Sequence, residues 1–193
     1  MNNNIQEKIK CRCKWCNLNN PKYIKYHDEE WGVPEYNDSV LFELLILESF
    51  QAGLSWECVL NKREYFREAF DDFEIEKNCE YKEDKVNELM ENINIIRNRR
   101  KINATINNAK IFRLIQKEYG SFSDYIWGFT EKKIIYEYDK TSSQLSDKIS
   151  DDLKKRGMKF VGTTIIYAYL QAIGIIYSHD EECFLRKEKK INL

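Results

Sequence analysis

The stretch Leu44-Leu-Ile-Leu-Glu48-Ser-Phe-Gln51-Ala-Gly53-Leu-Ser55-Trp56 decides the fold class. Upstream, Asp38 offers an N-cap for a helix through Val40–Gln51, and Gly53 offers its stop. Ser55 can then cap a second helix, Trp56–Phe70, whose stripe is Val59, Leu60, Phe66 and Phe70. One nearly apolar helix followed at once by an amphipathic one predicts an all-α bundle.

The rest of the chain agrees. Asp84–Glu91 reads as a short helix. Lys101–Tyr119 reads as a long one, with Ile102, Ile106, Ala109, Phe112 and Ile115 at helical spacing and Gly120 as its end. Ser123–Gly128 fits a helical turn, and Ile134–Tyr138 alternates weakly enough to be extended. Ser146–Arg156 is helical up to Gly157, and Thr163 can cap a last buried helix, Thr164–Ile173, closed by Gly174. Only 7 Gly and 2 Pro among 193 residues are too few for the turns of an all-β fold. One helical domain over residues 11–186 is expected, with a frayed start at 1–10 and a tail at 187–193.

Composition narrows the function. The formal net charge of -1 gives no general affinity for phosphate, so nucleic-acid binding requires cations gathered on one face. Acidic residues crowd Asp71–Glu91, whereas Arg97–Lys101 and Lys154–Arg156 are basic. Met1–Lys10 lacks the apolar core of a signal peptide, and no apolar run is long enough for a membrane span. Six Cys without an export signal point to a reducing, cytoplasmic compartment and to metal binding or burial rather than disulfides.

The two His both stand near Cys. His27 follows Cys11, Cys13 and Cys16, and His179 precedes Cys183 by one helical turn. Two such pairs can complete a Cys2His2 tetrahedron. With four protein ligands, such a site has no open position for water and is structural. Spacing alone does not choose among the three early Cys, nor between a metal site and ordinary buried thiols.

Glu48 is the single charge in the apolar run from Leu44 to Trp56. Leu44 and Glu48 share a helix face, with Gln51 beside it. Glu48 either reaches solvent or closes a pocket whose rings are Trp56, Trp15, Tyr23 and Tyr26. Aromatic walls with one carboxylate suit a flat, electron-poor ring bearing N–H groups. Between two helices, Leu89–Asn98 reads as a hairpin, with Asn94 as the residue best suited to a positive φ. Arg97, Arg99, Arg100 and Lys101 follow and can clamp a phosphate with backbone N–H groups; a plain solvated basic loop is the alternative.

Three blocks together are similar to signatures of the DNA-3-methyladenine glycosylase I family. They are Tyr23-Ile-Lys-Tyr26-His27-Asp-Glu-Glu-Trp31-Gly-Val-Pro34, Leu47-Glu48-Ser-Phe-Gln51-Ala-Gly-Leu-Ser-Trp56 and Lys154-Lys-Arg-Gly157-Met-Lys-Phe160-Val-Gly162-Thr-Thr164. The resemblance runs from Cys13 to Cys183. It implies the helix–hairpin–helix glycosylase fold and one structural Zn2+ on Cys13, His27, His179 and Cys183, joining the N- and C-terminal segments. Cys13-Lys-Trp15 matches the family's Cys-x-Trp start, which selects Cys13. Glu48 matches the carboxylate that contacts the excised base. Trp15, Tyr23, Tyr26 and Trp56 match the pocket rings, with Gln51 assigned beside them. Asn94 stands where the family usually has Gly.

The implied activity is base excision repair: flipping 3-methyladenine out of alkylated double-stranded DNA and hydrolysing its N-glycosidic bond. The implied product is free 3-methyladenine, and the implied state is a cytoplasmic monomer with access to the nucleoid. No Lys is marked as a Schiff-base nucleophile, so direct attack by water is expected. The rival readings are a zinc-dependent DNA-binding regulator, a zinc hydrolase with an open metal position, and a glycosylase of altered base preference.

Overall fold

A computed structural model describes residues 10–187. The expected frayed start and tail therefore fall almost entirely outside the described residues. The chain runs through ten α-helices among the described residues: α1 Pro21–Glu29, α2 Asp38–Gln51, α3 Trp56–Asn61, α4 Arg63–Ala69, α5 Ile75–Glu80, α6 Glu83–Glu91, α7 Arg99–Tyr119, α8 Phe122–Gly128, α9 Gln144–Lys155 and α10 Thr163–Ala172. A 3-10 turn, Asp71–Phe73, links α4 to α5. Two-residue strands, β1 Ile135–Tyr136 and β2 Ile176–Tyr177, pair in parallel with Ile135 opposite Ile176.

Helix α2 is the axis of the bundle. Every residue from Leu41 to Phe50 is buried, as expected of a helix enclosed on all sides rather than one with a single apolar stripe. Helices α3, α7, α8 and α10 surround it. Its buried Glu43 is matched by the guanidinium groups of Arg63 and Arg67, whose Nε atoms lie 2.6 and 2.9 Å from Oε1. Removing Glu43 would leave the buried guanidinium of Arg63 with only the half-exposed Glu30 as its partner.

The helical reading holds, with changes at the boundaries. Asn37, not Asp38, caps α2, accepting from the N–H of Ser39 and Val40. Asp38 instead caps α8 from across the bundle, accepting from Phe122 N and Ser123 N at 2.8 Å. The expected single helix Trp56–Phe70 is broken at Lys62 (φ -99, ψ 1), which lets α4 turn back under α2. Gly162, not Thr163, is the N-cap of α10; the Thr163 hydroxyl bonds Asp147 Oδ1 at 2.5 Å. Gly174 permits a close approach, because a Cβ there would sit 2.4 Å from the backbone carbon of Val33.

Candidate active site and metal centre

Helix α1 supplies both halves of the site. Asn20 caps it through its side chain and Pro21 occupies its first position. Three of its residues are buried: Tyr23, Tyr26 and His27. The two Tyr face a cavity, and His27 faces a cluster of metal-ligand type.

The cavity holds about 200 Å³ and is lined by Trp15, Tyr23, Tyr26, Trp31, Glu48, Gln51, Trp56, Ala168 and Gln171. All six pocket residues expected from the sequence meet there. Trp31, Ala168 and Gln171 had no role in the sequence reading, although Trp31 lies inside a quoted block. The rings pack edge to face or tilted: Trp15 to Trp31 at 4.9 Å, Trp15 to Tyr23 at 5.4 Å, Tyr26 to Trp56 at 5.2 Å. Such contacts fix the walls without filling the centre.

Glu48 is the acid of this cavity. It is only 3% exposed, so the solvent-facing alternative is excluded. Burial raises its carboxyl from 4.5 to about 8, with no cation close enough to oppose the shift. Its Oε2 has no hydrogen-bond partner in the protein, and neither has the indole Nε1 of Trp56. An unpaired acceptor and an unpaired donor therefore belong to one cavity, at a cost the fold bears elsewhere. Burial also raises Tyr23 to about 12 and Tyr26 well above its usual value, so both phenols stay neutral.

Behind Trp15 and Trp31 lies the second cluster. The donor atoms of Cys13, His27, His179 and Cys183 all lie within 4.8 Å of one another, and all four residues are buried. Cys13 Sγ is 3.4 Å from His179 Nδ1. Cys183 Sγ is 3.5 Å from both His27 Nε2 and His179 Nδ1. A tetrahedral ion with bonds of about 2.3 Å to S and about 2.0–2.1 Å to N sets neighbouring donors about 3.5 Å apart. The four donors fit a single ion of that kind. His27 is oriented from behind, with Nδ1 2.8 Å from Asp28 Oδ1, and Asp28 accepts two bonds from Arg12. The Arg12 bond holds the Asp28 carboxyl below its usual range. Burial lowers His179 to about 4, which keeps its imidazole in the neutral, ligating form.

The hairpin between α6 and α7 departs from expectation. Asn94 does not take a positive φ. Asn92 supplies the turn instead, its Oδ1 accepting from Asn94 N at 2.9 Å, and Lys62 Nζ holds the Asn94 carbonyl at 2.8 Å. The side chain therefore does the work a left-handed residue was expected to do. Arg97 and Arg100 are exposed and form no ion pair among the described residues. Arg99 is exposed but bonds Glu83 and Asn87. Lys101 is buried, so it is not among the outward cations of the hairpin. Lys159 was missed: with Arg100, Asn103, Asn107 and Phe160 it lines an open groove of about 560 Å³. The Lys154–Arg156 cluster is largely neutralised, because Arg156 pairs with Glu118 and Asp152, and Lys154 with Asp151.

A helical bundle with an aromatic cavity closed by one buried carboxylate, beside a turn bearing outward arginines, has the chemistry to hold a flat, electron-poor ring. Known proteins narrow this further. The profile of the methyladenine glycosylase family matches residues 15–187, and the chain belongs to that family. It is 43% identical over 179 residues to DNA-3-methyladenine glycosylase 1 of Escherichia coli K12, covering 89% of this chain and 95% of that protein. The crystal structure of a 3-methyladenine DNA glycosylase I superposes with a TM-score of 0.87 at 42% identity, over 92% of this chain and all of that one. The Staphylococcus aureus glycosylase I, solved for its recognition of 3-methyladenine, superposes at 0.87 with 35% identity, over 92% and 97% of the two chains. Among the described residues, no helix is long and apolar enough to cross a membrane.

Proposed function

We propose that the protein excises 3-methyladenine from alkylated duplex DNA by hydrolysing its N-glycosidic bond, as the first step of base excision repair. The observation that carries this reading is the buried Glu48, unpaired at Oε2, in a cavity walled by Trp15, Tyr23, Tyr26, Trp31 and Trp56.

A base inside a duplex must rotate out of the stack to reach such a cavity. Methylation at N3 makes adenine formally cationic while it is attached to the sugar. It then leaves as a neutral base and needs little general-acid help. The rings favour the cation by stacking and cation–π attraction, worth roughly 0.5–2 kcal/mol per contact. Glu48 accepts from the adenine N–H groups. A cation entering the cavity also lowers its raised pKa, so the carboxyl gives its proton to solvent as the base binds. Unmodified adenine offers no such charge and is the poorer leaving group. Water attacks the sugar carbon directly. The buried ammonium of Lys101 is held by the carbonyls of Phe50 and Ala52 and is not free for Schiff-base chemistry, in keeping with no lyase step.

Arg97, Arg100 and the N–H groups at the start of α7 hold the phosphate backbone, with the Asn92 side chain turning the hairpin. Arg99 can exchange its surface ion pair, worth about 0–1 kcal/mol, for a phosphate. Cys13, His27, His179 and Cys183 hold one structural Zn2+, whose chemistry is to tie the two ends of the chain together and not to activate water. The folded unit spans residues 11–186 and acts as a monomer in the compartment that holds the chromosome.

Chromatography of the bases released from methylated duplex DNA tests the proposal. A 3-methyladenine peak is expected. Tight duplex binding with no base released would favour a DNA-binding regulator instead.

A further inference from the structure

The fold turns Lys101 inward. It is the third residue of α7 and 5% exposed. Its Nζ donates to two carbonyls at the C-terminal end of α2, Phe50 O and Ala52 O, each at 2.7 Å. At the end of α2 (C-cap Ala52, φ -48, ψ 112) the N–H of Leu54 bonds Gln51 O at 2.6 Å, and the ammonium takes the carbonyls on either side of it. The cation stands where the helix dipole favours one. It also faces the rings of Phe50 and Phe160 at 6.0 and 5.9 Å. Phe160 is itself held at φ 55, and its carbonyl accepts from Ser49 Oγ at 3.2 Å. No carboxylate pairs with Lys101 among the described residues. A buried cation held only by carbonyl dipoles is costly, and its geometry is correspondingly well defined.

What that ammonium ties down is the stretch of chain beside the cavity. Gln51 lies between its two acceptor residues, Glu48 is one turn earlier, and Trp56 follows three residues after Gly53. Gly53 takes φ 81, and Leu54 beyond it is 43% exposed. On the other side, the same turn of α7 carries the outward-facing Arg100.

We propose that Lys101 is a positioning residue for base extrusion, locking the Ala52–Leu54 loop, which joins the cavity residues Gln51 and Trp56, to the hairpin helix that grips the phosphates. This rests on reading the cavity as the base pocket. Without the lock, the loop and the phosphate clamp no longer share one frame. The extruded nucleotide then arrives misplaced, although the pocket itself still accepts a base.

The variant is Lys101→Met, assayed in the full chain by single-turnover release of 3-methyladenine from methylated duplex. Free 3-methyladenine binding is followed by quenching of Trp15, Trp31 and Trp56. The salt dependence of duplex binding and the amide exchange of Gly53 and Leu54 complete the set. Excision is expected to fall about tenfold or more, while affinity for the free base stays within about twofold. The salt slope should not change, and exchange at Gly53 and Leu54 should rise. Lys101→Arg, which keeps charge and donors, is expected to recover much of the rate. A salt slope reduced by about one would make Lys101 a phosphate ligand and overturn the proposal. So would a parallel loss of free-base affinity, which marks general collapse, or an unchanged rate. If Lys101→Met does not fold, the shorter neutral donor in Lys101→Gln takes its place under the same expectations. Absence of base release by the unsubstituted protein would instead overturn the reading of the pocket.

Discussion

Glu48→Gln separates what the buried carboxyl does for function from what it does to stability, and the two effects have opposite signs. In the unfolded chain the carboxyl titrates at 4.5; in the folded protein burial raises it to about 8. Below 4.5 both states hold the proton, and the group is neutral in each. Between 4.5 and 8 the unfolded chain ionises while the folded protein does not, so this residue's support for folding drains away with rising pH. At about 1.4 kcal/mol per pH unit, the full loss is about 5 kcal/mol by pH 8. Water reaching the open cavity makes that figure a ceiling. Glutamine cannot ionise and escapes the loss. Urea denaturation of both proteins should give equal stabilities near pH 4, a gap opening in favour of Glu48→Gln up to pH 8, and parallel curves above it. Excision should move the other way. Losing the charge-assisted bonds to the cationic base costs about 1.5–3 kcal/mol, or roughly 10- to 150-fold in kcat/KM. Stability curves that run parallel from pH 4.5 to 8 would show that Glu48 is already ionised in the fold, and the reasoning would fail at its root.

His179→Ala should bring zinc content, measured on the purified protein, close to zero and lower the melting temperature sharply. Structural zinc supplies about 10 kcal/mol or more against a total stability of about 5–15 kcal/mol; unchanged metal content would refute the ligand assignment. Arg100→Gln should weaken duplex binding for methylated and unmodified DNA alike and reduce the salt slope by about one. Weaker binding of methylated DNA alone would contradict a phosphate role.

Much of the bundle was legible because its signals are local. Ser55 caps α3 as expected, and Gly120 and Gly157 take positive φ at the ends of α7 and α9. Helix α1 was not read, although Asn20-Pro21 is a good start signal. Its inward face is Tyr23, Tyr26 and His27 rather than aliphatic residues, so its period does not stand out as apolar. The pairing of β1 with β2 is two residues long and joins segments forty positions apart, which no local pattern encodes. Asn94 and Lys101 depart from expectation for different reasons. At Asn94 the side chain of Asn92 closes the turn without a positive φ, whereas the helical phase of α7 turns Lys101 out of the basic run and inward. Ile102 and Lys101 both fall on the inner side.

The metal cluster and the pocket are not independent features, because the chain alternates between them. Cys13 is two residues from Trp15, and Tyr26 adjoins His27. Across the chain, Trp15 packs on His27 at 5.2 Å and Trp31 on His179 at 4.8 Å. The nine residues of α1 are too few to hold a helix unaided, since isolated helices below about 12–15 residues are marginal. An ion cross-linking Cys13, His27, His179 and Cys183 would hold the walls on α1 and its approach in place against the α2 floor. That floor carries the unpaired Glu48 oxygen, and the Trp56 N–H beside it is unpaired too; both are destabilising in the folded protein. A pocket poised with unmet hydrogen-bonding capacity needs stabilisation from outside itself, and a closed four-ligand ion would supply that without adding reactivity. An ion held there would take no part in bond cleavage, yet it would fix the aromatic walls around the cavity.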